Sequence, residues 1–191
     1  MLKPVKKLEV FNKKQHLNLY TMQKFEYAHL LPADFSYDSK VWIYQSNRLF
    51  TISEALHIED ILKNFYTSWR SHGQQVKGHA DLLFGQFIII MADETATGVS
   101  GCSTDGSVRL VKEIEKAFNV TLFDRQLLAF IVKEKVQLIP MSQLNYALEN
   151  NFITADTIYF NNLVQTKEEL ENNWLIPIKR SWLASRIKVS G

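Results

Sequence analysis

The sequence predicts an α+β domain with a mixed β-sheet, two main amphipathic helices and a helical C-terminal tail. Three observations predict it: a near-continuous apolar run at Leu82–Met91, two segments with apolar residues at helical spacing, and several short strand-like segments after residue 121. No internal repeat, low-complexity tract or linker rich in proline and glycine interrupts the chain, so we expect residues 1–191 to form a single domain.

The first half alternates strands and helices. Aromatic and β-branched residues predict a strand over Val41–Thr51. A helix is predicted next, with Ser53 as its N-cap, His72 in its last turn and Gly73 as its left-handed stop. The run Leu82–Met91 then indicates a strand covered on both faces, which predicts a central place in the sheet.

The second half begins with a helix predicted from Val108 to about Asn119, which has apolar residues on one face and charged residues on the other. Short strands and a hairpin should follow, then a short helix that ends near Leu148. The remaining predicted segments are strands at Leu122–Arg125, Leu127–Val132, Val136–Ile139 and Ile158–Phe160, and helices at Lys167–Asn172 and Ser181–Ile187.

Composition excludes several classes of protein. The chain is 46% hydrophobic and 22% charged, which is typical of a folded, soluble protein. The longest apolar stretch, Leu82–Ala92, is far shorter than the roughly 20 residues of a membrane span, and no apolar segment typical of a signal peptide follows the N-terminal lysines. One cysteine excludes an internal disulfide, and no ligand spacing typical of metal sites occurs. We therefore expect a cytoplasmic location, no metal and no cofactor.

Residues 1–24 form a basic segment with six lysines and one glutamate. Such an arm, with aromatic residues beside it, suits nucleic acid or an acidic protein surface. A solvated tail or edge segment is the interpretation that we favour, so nucleic acid is not the expected partner. The sequence is also compatible with a homo-oligomer.

The segment 98–107 is the first candidate site, because glycines and hydroxyl side chains concentrate there before a predicted helix. Backbone N–H groups at a helix start attract anions, so this loop predicts binding of a small anionic ligand. The alternative is an ordinary turn, in which Asp105, Gly106 and Ser107 cap the helix. The candidate ligand-binding residues are Ser100, Gly101, Cys102, Ser103, Thr104, Gly106 and Ser107.

Four stretches of the chain together resemble an uncharacterised bacterial family. They are Val41–Arg48, Ser100–Arg109, Phe160–Trp174 and Ser181–Leu183. Members of that family are often labelled "ABC transporter ATPase". The resemblance implies a family and brings no catalytic residues with it.

The residues do not support that label. Gly101 and Gly106 have the separation of the two P-loop glycines, but Ser107 stands at the lysine position and Val108 at the hydroxyl position. The apolar strand that ends at Asp93 also precedes this loop instead of following it. We therefore expect no P-loop nucleotide hydrolysis.

An enzyme remains the alternative, as a cysteine-dependent hydrolase or transferase. Cys102 near a helix N-terminus would have a lowered thiol pKa, with His72 as base and Asp93 or Asp105 as orienting group. Each residue also has a structural interpretation. A free cysteine usually packs as a small apolar residue, His72 suits a helix C-terminus, and Asp93 suits the solvated end of a strand.

Overall fold

A computed structural model describes residues 25–71, 73–95 and 101–186, apart from the side chains of residues 101–104. The chain divides into two compact units, Met1–Leu31 and Pro32–Gly191. In the described part of the first unit, Ala28–Leu30 form a 3₁₀ helix. The predicted basic arm, residues 1–24, lies outside the described residues, and the single domain over residues 1–191 stays a prediction.

The second unit contains helices and strands in roughly equal measure. Its α-helices are α1 (Ile52–Ser68), α2 (Gly101–Phe118), α3 (Leu144–Glu149) and α4 (Lys167–Asn173). Its strands are β1 (Lys40–Gln45), β2 (Arg70–Ser71), β3 (Gln74–Gln75), β4 (Lys77–Leu83), β5 (Phe87–Asp93), β6 (Leu127–Val132), β7 (Lys135–Pro140), β8 (Ile158–Phe160) and β9 (Leu175–Pro177). The predicted α+β class is confirmed. None of the described helices has the length and apolar character that a membrane span needs.

The first sheet has the order β1-β5-β4, so the predicted central strand is confirmed. All seven residues of β5 are buried, because α1 and α2 cover one face of this sheet and aromatic side chains cover the other. On the helical face, Ile88 and Ile90 of β5 belong to one core with Ile58 of α1 and Val111 of α2. On the opposite face, Phe87 stacks on Phe160 with ring centroids 4.5 Å apart.

The expected single mixed sheet is wrong. The described strands form three separate sheets, and every pair in them is antiparallel. The apolar run read as one strand is a hairpin, in which residues 84–86 turn the chain between β4 and β5 and Phe84 has φ 54°. Tight turns join antiparallel neighbours, whereas parallel neighbours need a long crossover.

The predicted hairpin at residues 127–139 is confirmed as β6 and β7, the first pair of a sheet with the order β7-β6-β8-β9. Lys133 and Glu134 both have positive φ, 49° and 59°, as a two-residue type I′ turn requires. The predicted strand at Ile158–Phe160 is also confirmed, as β8.

Helix boundaries differ from the sequence-based expectation. Thr51, not Ser53, is the N-cap of α1, and it forms a capping box with Glu54. That helix ends at Ser68, because the chain then extends into the hairpin of β2 and β3. The helix α2 begins at Gly101 rather than near Val108, so residues 101–107 are its first two turns and not a loop.

Two further expectations for the second half of the chain need correction. Residues 122–125 form no strand, since no neighbouring strand pairs with them. Within residues 178–186, the last part of the chain that the structure describes, the tail forms two short 3₁₀ helices, Ile178–Arg180 and Trp182–Arg186. The predicted helix at Ser181–Ile187 is therefore shorter and of the 3₁₀ type. The helix predicted at 167–172 is confirmed as α4, with Thr166 as its N-cap.

Gly78 on β4 allows the backbone to approach Trp69 closely. A Cβ atom at this position would lie 2.6 Å from Cε3 of Trp69, a buried ring held by Phe65 and Trp42. We expect Gly78→Ala to reduce the free energy of unfolding by about 1–2 kcal/mol, because a packed ring must move. Urea unfolding of the variant and the wild type measures this. Gly106→Ala is the steric control, since the nearest atom to its added Cβ, Trp69 Nε1, lies at an ordinary contact distance of 3.9 Å; a loss at Gly78 no larger than at Gly106 would contradict the argument.

Candidate functional site

The glycine-rich segment is only partly described. Ser100 lies outside the described residues, and Gly101, Cys102, Ser103 and Thr104 are described only as backbone in the first turn of α2. Asp105, Gly106 and Ser107 lie in the second turn. Their proposed role as a helix cap is wrong, because the helix has already begun.

Ser107 is fully buried and forms a side-chain hydrogen bond with Tyr44 of β1. Burial raises the pKa of Tyr44, while this hydrogen bond and the positive charge of Arg125 lower it to a smaller extent. Gly106 faces Trp69, whose Nε1 would lie 3.9 Å from an added Cβ. An added Cβ at Gly106 would thus make only ordinary van der Waals contact, and the burial of Ser107 against Tyr44 is the packing feature of this turn of α2.

Asp93 is a buried carboxylate that already has four hydrogen-bond donors. It accepts from Lys77 Nζ at 3.0 Å and Ser36 N–H at 3.3 Å, and from the N–H and hydroxyl of Thr95 at 3.1 and 2.8 Å. Burial raises its pKa, but these donors outweigh burial and lower the pKa to about 2. Such a carboxylate fastens the segment around Ser36 to the end of β5.

The proposed catalytic set stays a prediction. His72 lies outside the described residues, and the side chain of Cys102 is not among those described. The hydrogen-bond donors around Asp93 support a structural role for this carboxylate. Among the described residues, no group of three histidine, cysteine, aspartate or glutamate side chains could hold a metal ion.

A cleft lies along the open side of β1. It consists of two adjoining cavities of about 70 Å³ and 330 Å³, and we call them together the edge cleft. Three distant segments of the chain contribute residues that border both cavities: Ile43, Tyr44, Arg125, Asn162 and Leu163.

A polar network fixes the wall of the edge cleft. Asn162 Nδ2 donates to Gln45 Oε1 at 2.8 Å, and Gln45 Nε2 donates to the carbonyl of Leu127 at 3.0 Å. Trp174 Nε1 donates to Asn162 Oδ1 at 2.9 Å. The network connects β1 to the start of β6 and to the end of α4, so the wall is rigid without a ligand.

The backbone of β1 also faces the cleft. The N–H of Ser46 points toward β5 and donates to the carbonyl of Gln86. The N–H of Val41 points the opposite way and donates to the carbonyl of Gln165. Because alternate residues of a strand share an orientation, the N–H and C=O of Ile43 point away from β5. Neither has a hydrogen-bond partner within the part of the chain that the structure describes. The edge cleft therefore offers a backbone donor and acceptor.

Arg125 is one of three charged residues that border the edge cleft, with Asp124 and Lys40. Its side chain is exposed, and it acts on the buried hydroxyl of Tyr44. Across the described ranges it forms no ion pair. Phe123 and Leu163 border the same cleft and remain 37% and 52% exposed, so an apolar surface adjoins the cation.

No family model matches this chain, and no curated protein or solved structure matches it either. The resemblance to a bacterial family therefore stays a prediction, and the residues of the site must be interpreted from their chemistry.

Sequence reasoning missed Arg125 and Asn162. Arg125 was assigned to a strand, and Asn162 sits in a short turn with no motif around it. The one signal was local: Arg125 ends a four-residue segment, Leu122–Arg125, that is too short and too polar to pair as a strand. Such a segment beside a hairpin often carries binding residues.

Proposed function

We propose that the protein binds a small anionic ligand in the edge cleft, with Arg125 as its charged contact. One observation carries the proposal: at a concave site, beside a buried tyrosine hydroxyl, an exposed guanidinium forms no ion pair with Asp124 of the same cleft or with any other described carboxylate. Arginine presents a planar set of donors that matches the oxygens of a carboxylate or phosphate.

The ligand should combine an acidic group with an apolar body. Its acidic group would contact Arg125, while its apolar part would cover Phe123 and Leu163. The N–H of Ile43 is a further donor for the anion. A neutral ligand would not use the charge of Arg125, and a cationic ligand would be repelled by it.

This proposal keeps the ligand class that the sequence predicts and changes its place. The segment 98–107 also remains a proposed anion site. That proposal depends on residues whose side chains the structure does not describe. Ser107 connects the two places, because its hydroxyl is bonded to Tyr44 at the cleft. The cysteine-dependent enzyme and the basic arm of residues 1–24 remain the alternatives. We further propose a cytoplasmic location, on the ground of the single cysteine.

Arg125→Gln tests the proposal. The full chain is titrated with octanoate, acetate and inorganic phosphate, and binding is followed by ¹H–¹⁵N chemical shifts. We expect octanoate to bind more tightly than acetate, and Arg125→Gln to raise its Kd at least about tenfold, because a charge-assisted hydrogen bond contributes about 1.5–3 kcal/mol.

Arg109→Gln is the matched control, since Arg109 is an exposed arginine of α2 that does not border the edge cleft. It changes the net charge equally and should leave the Kd unchanged. Equal losses in the two variants would indicate non-specific attraction. No shift change near β1 with any of the three anions at millimolar concentration would refute the proposed function.

A further inference from the structure

A second concave site lies between α3 and β7, and the proposed function does not use it. Its volume is about 570 Å³, within the range of small-ligand pockets. We call it the α3–β7 groove. Its lining is Val132, Lys133, Gln137, Leu138, Ile139, Gln143, Tyr146, Ala147, Asn150, Asn151 and Phe152.

The floor of the groove is the sheet face on which α3 packs. Register places Gln137 opposite Phe130 and Ile139 opposite Leu128, so these four side chains share that face. The short helix α3 covers Ile139 and leaves Gln137 half-buried. The amide of Gln137 has no side-chain hydrogen-bond partner among the described residues. A half-buried amide without a protein partner is a binding group at the base of the groove.

The rim carries two exposed aromatic rings, Tyr146 at 69% and Phe152 at 51% exposure. The end of α3 fixes them. Asn151 has φ 55° and donates its N–H to Leu148, and the N–H of Phe152 donates to the carbonyl of Ala147 at 2.8 Å. Phe152 is therefore held at the groove by backbone hydrogen bonds before any ligand arrives.

More side-chain amides complete the rim. Asn150 donates through Nδ2 to the carbonyl of Tyr146 at 2.8 Å, which leaves its Oδ1 as an acceptor. Gln143 and Asn151 also line the groove, and each amide offers both donors and an acceptor. No carboxylate borders the groove, and its one charged lining residue is the exposed Lys133.

We propose that the α3–β7 groove binds a neutral sugar. A hydroxyl both donates and accepts, as an amide does, so Gln137 and its neighbouring amides match sugar hydroxyls without a charge on either side. The C–H face of a pyranose is apolar and packs on an aromatic ring, which Tyr146 and Phe152 provide. An anionic ligand would find one lysine only, and a cationic ligand would find no carboxylate.

Saturation-transfer NMR tests this with the full chain and the methyl glycosides of glucose, galactose, mannose and N-acetylglucosamine. We expect transfer to at least one of them. Tyr146→Ala and Gln137→Met should each weaken that binding at least about fivefold, because one removes the stacking ring and the other the amide at nearly constant volume. Tyr37→Ala is the control, because Tyr37 is an aromatic residue with 64% exposure outside the groove.

Three results would overturn the proposal. The first is absence of transfer to all four glycosides at millimolar concentration. The second is binding that Tyr37→Ala reduces as much as Tyr146→Ala does. The third is a wild-type dimer in sedimentation that Tyr146→Ala dissociates, which would make the groove a contact between two copies of this chain. Normal urea unfolding of each variant establishes that a loss of binding is not a loss of folding.

Discussion

Replacing Trp174 with alanine is expected to reduce the free energy of unfolding by about 3–5 kcal/mol, the largest effect of any single change considered for this chain. Trp174 is fully buried between the first sheet and α4. Its ring lies 5.4 to 5.7 Å from three other aromatic rings, those of Phe84, Phe87 and Phe160. An alanine would leave a cavity that these rigid rings cannot fill. Urea unfolding followed by far-ultraviolet circular dichroism measures the loss.

Trp174→Phe separates packing from hydrogen bonding. Phenylalanine keeps most of the ring contacts but removes the Nε1–H that donates to Asn162. We expect a smaller loss, of which the missing hydrogen bond accounts for about 1 kcal/mol. If alanine and phenylalanine destabilised the protein equally, the aromatic cluster would not be the source of the stability assigned to it here.

Asp93→Asn is expected to reduce the free energy of unfolding at pH 7 by about 2–4 kcal/mol. The carboxylate accepts from Lys77 and Ser36 on one oxygen and from Thr95 on the other. An amide has one oxygen, so one side of this arrangement loses its acceptor whichever way the amide points. Urea unfolding at neutral pH measures the loss.

The same variant has a defined pH dependence. The pKa of Asp93 lies at about 2 in the folded protein, below its ordinary value of 3.8. The stability that this carboxylate contributes is therefore present above about pH 4 and is lost as the pH falls toward 2. The difference between wild type and Asp93→Asn should be constant from pH 7 to about pH 4 and then shrink.

Asp60→Asn is the control for both measurements. Asp60 is an exposed residue of α1 with no ion pair among the described residues, so its replacement should change stability little at any pH. A difference between wild type and Asp93→Asn that persisted unchanged to pH 2 would show that shape, and not charge, accounts for the loss.

Patterns that depend on neighbouring residues predicted much of the fold. Burial of β5 on both faces requires an unbroken apolar run, and that run is visible in the sequence. The hairpin of β6 and β7 has a polar two-residue turn between apolar segments, which is also a local signal. The amphipathic spacing of α1 and of the later part of α2 identified both helices.

Features that depend on distant contacts could not be predicted. Glycines and hydroxyl side chains predict a loop at residues 101–107, but the burial of Ser107 against Tyr44 of β1 favours a helix there. The edge cleft requires Asn162 to lie next to β1. Asn162 is hydrogen-bonded to Gln45, which comes 117 residues earlier in the sequence. A single sequence contains no periodic pattern that predicts a contact between residues so far apart.

The open side of β1 also affects how molecules of this protein meet one another. An unpaired strand edge can recruit a strand from another molecule and begin aggregation. Here Gln165 pairs with Val41 at one end, and Gln45 reaches across to Leu127 at the other. An incoming strand would find open backbone only at Ile43 and Gln45, too little for a stable ladder. The geometry that leaves room for a small ligand therefore also limits edge-to-edge association between copies of this chain.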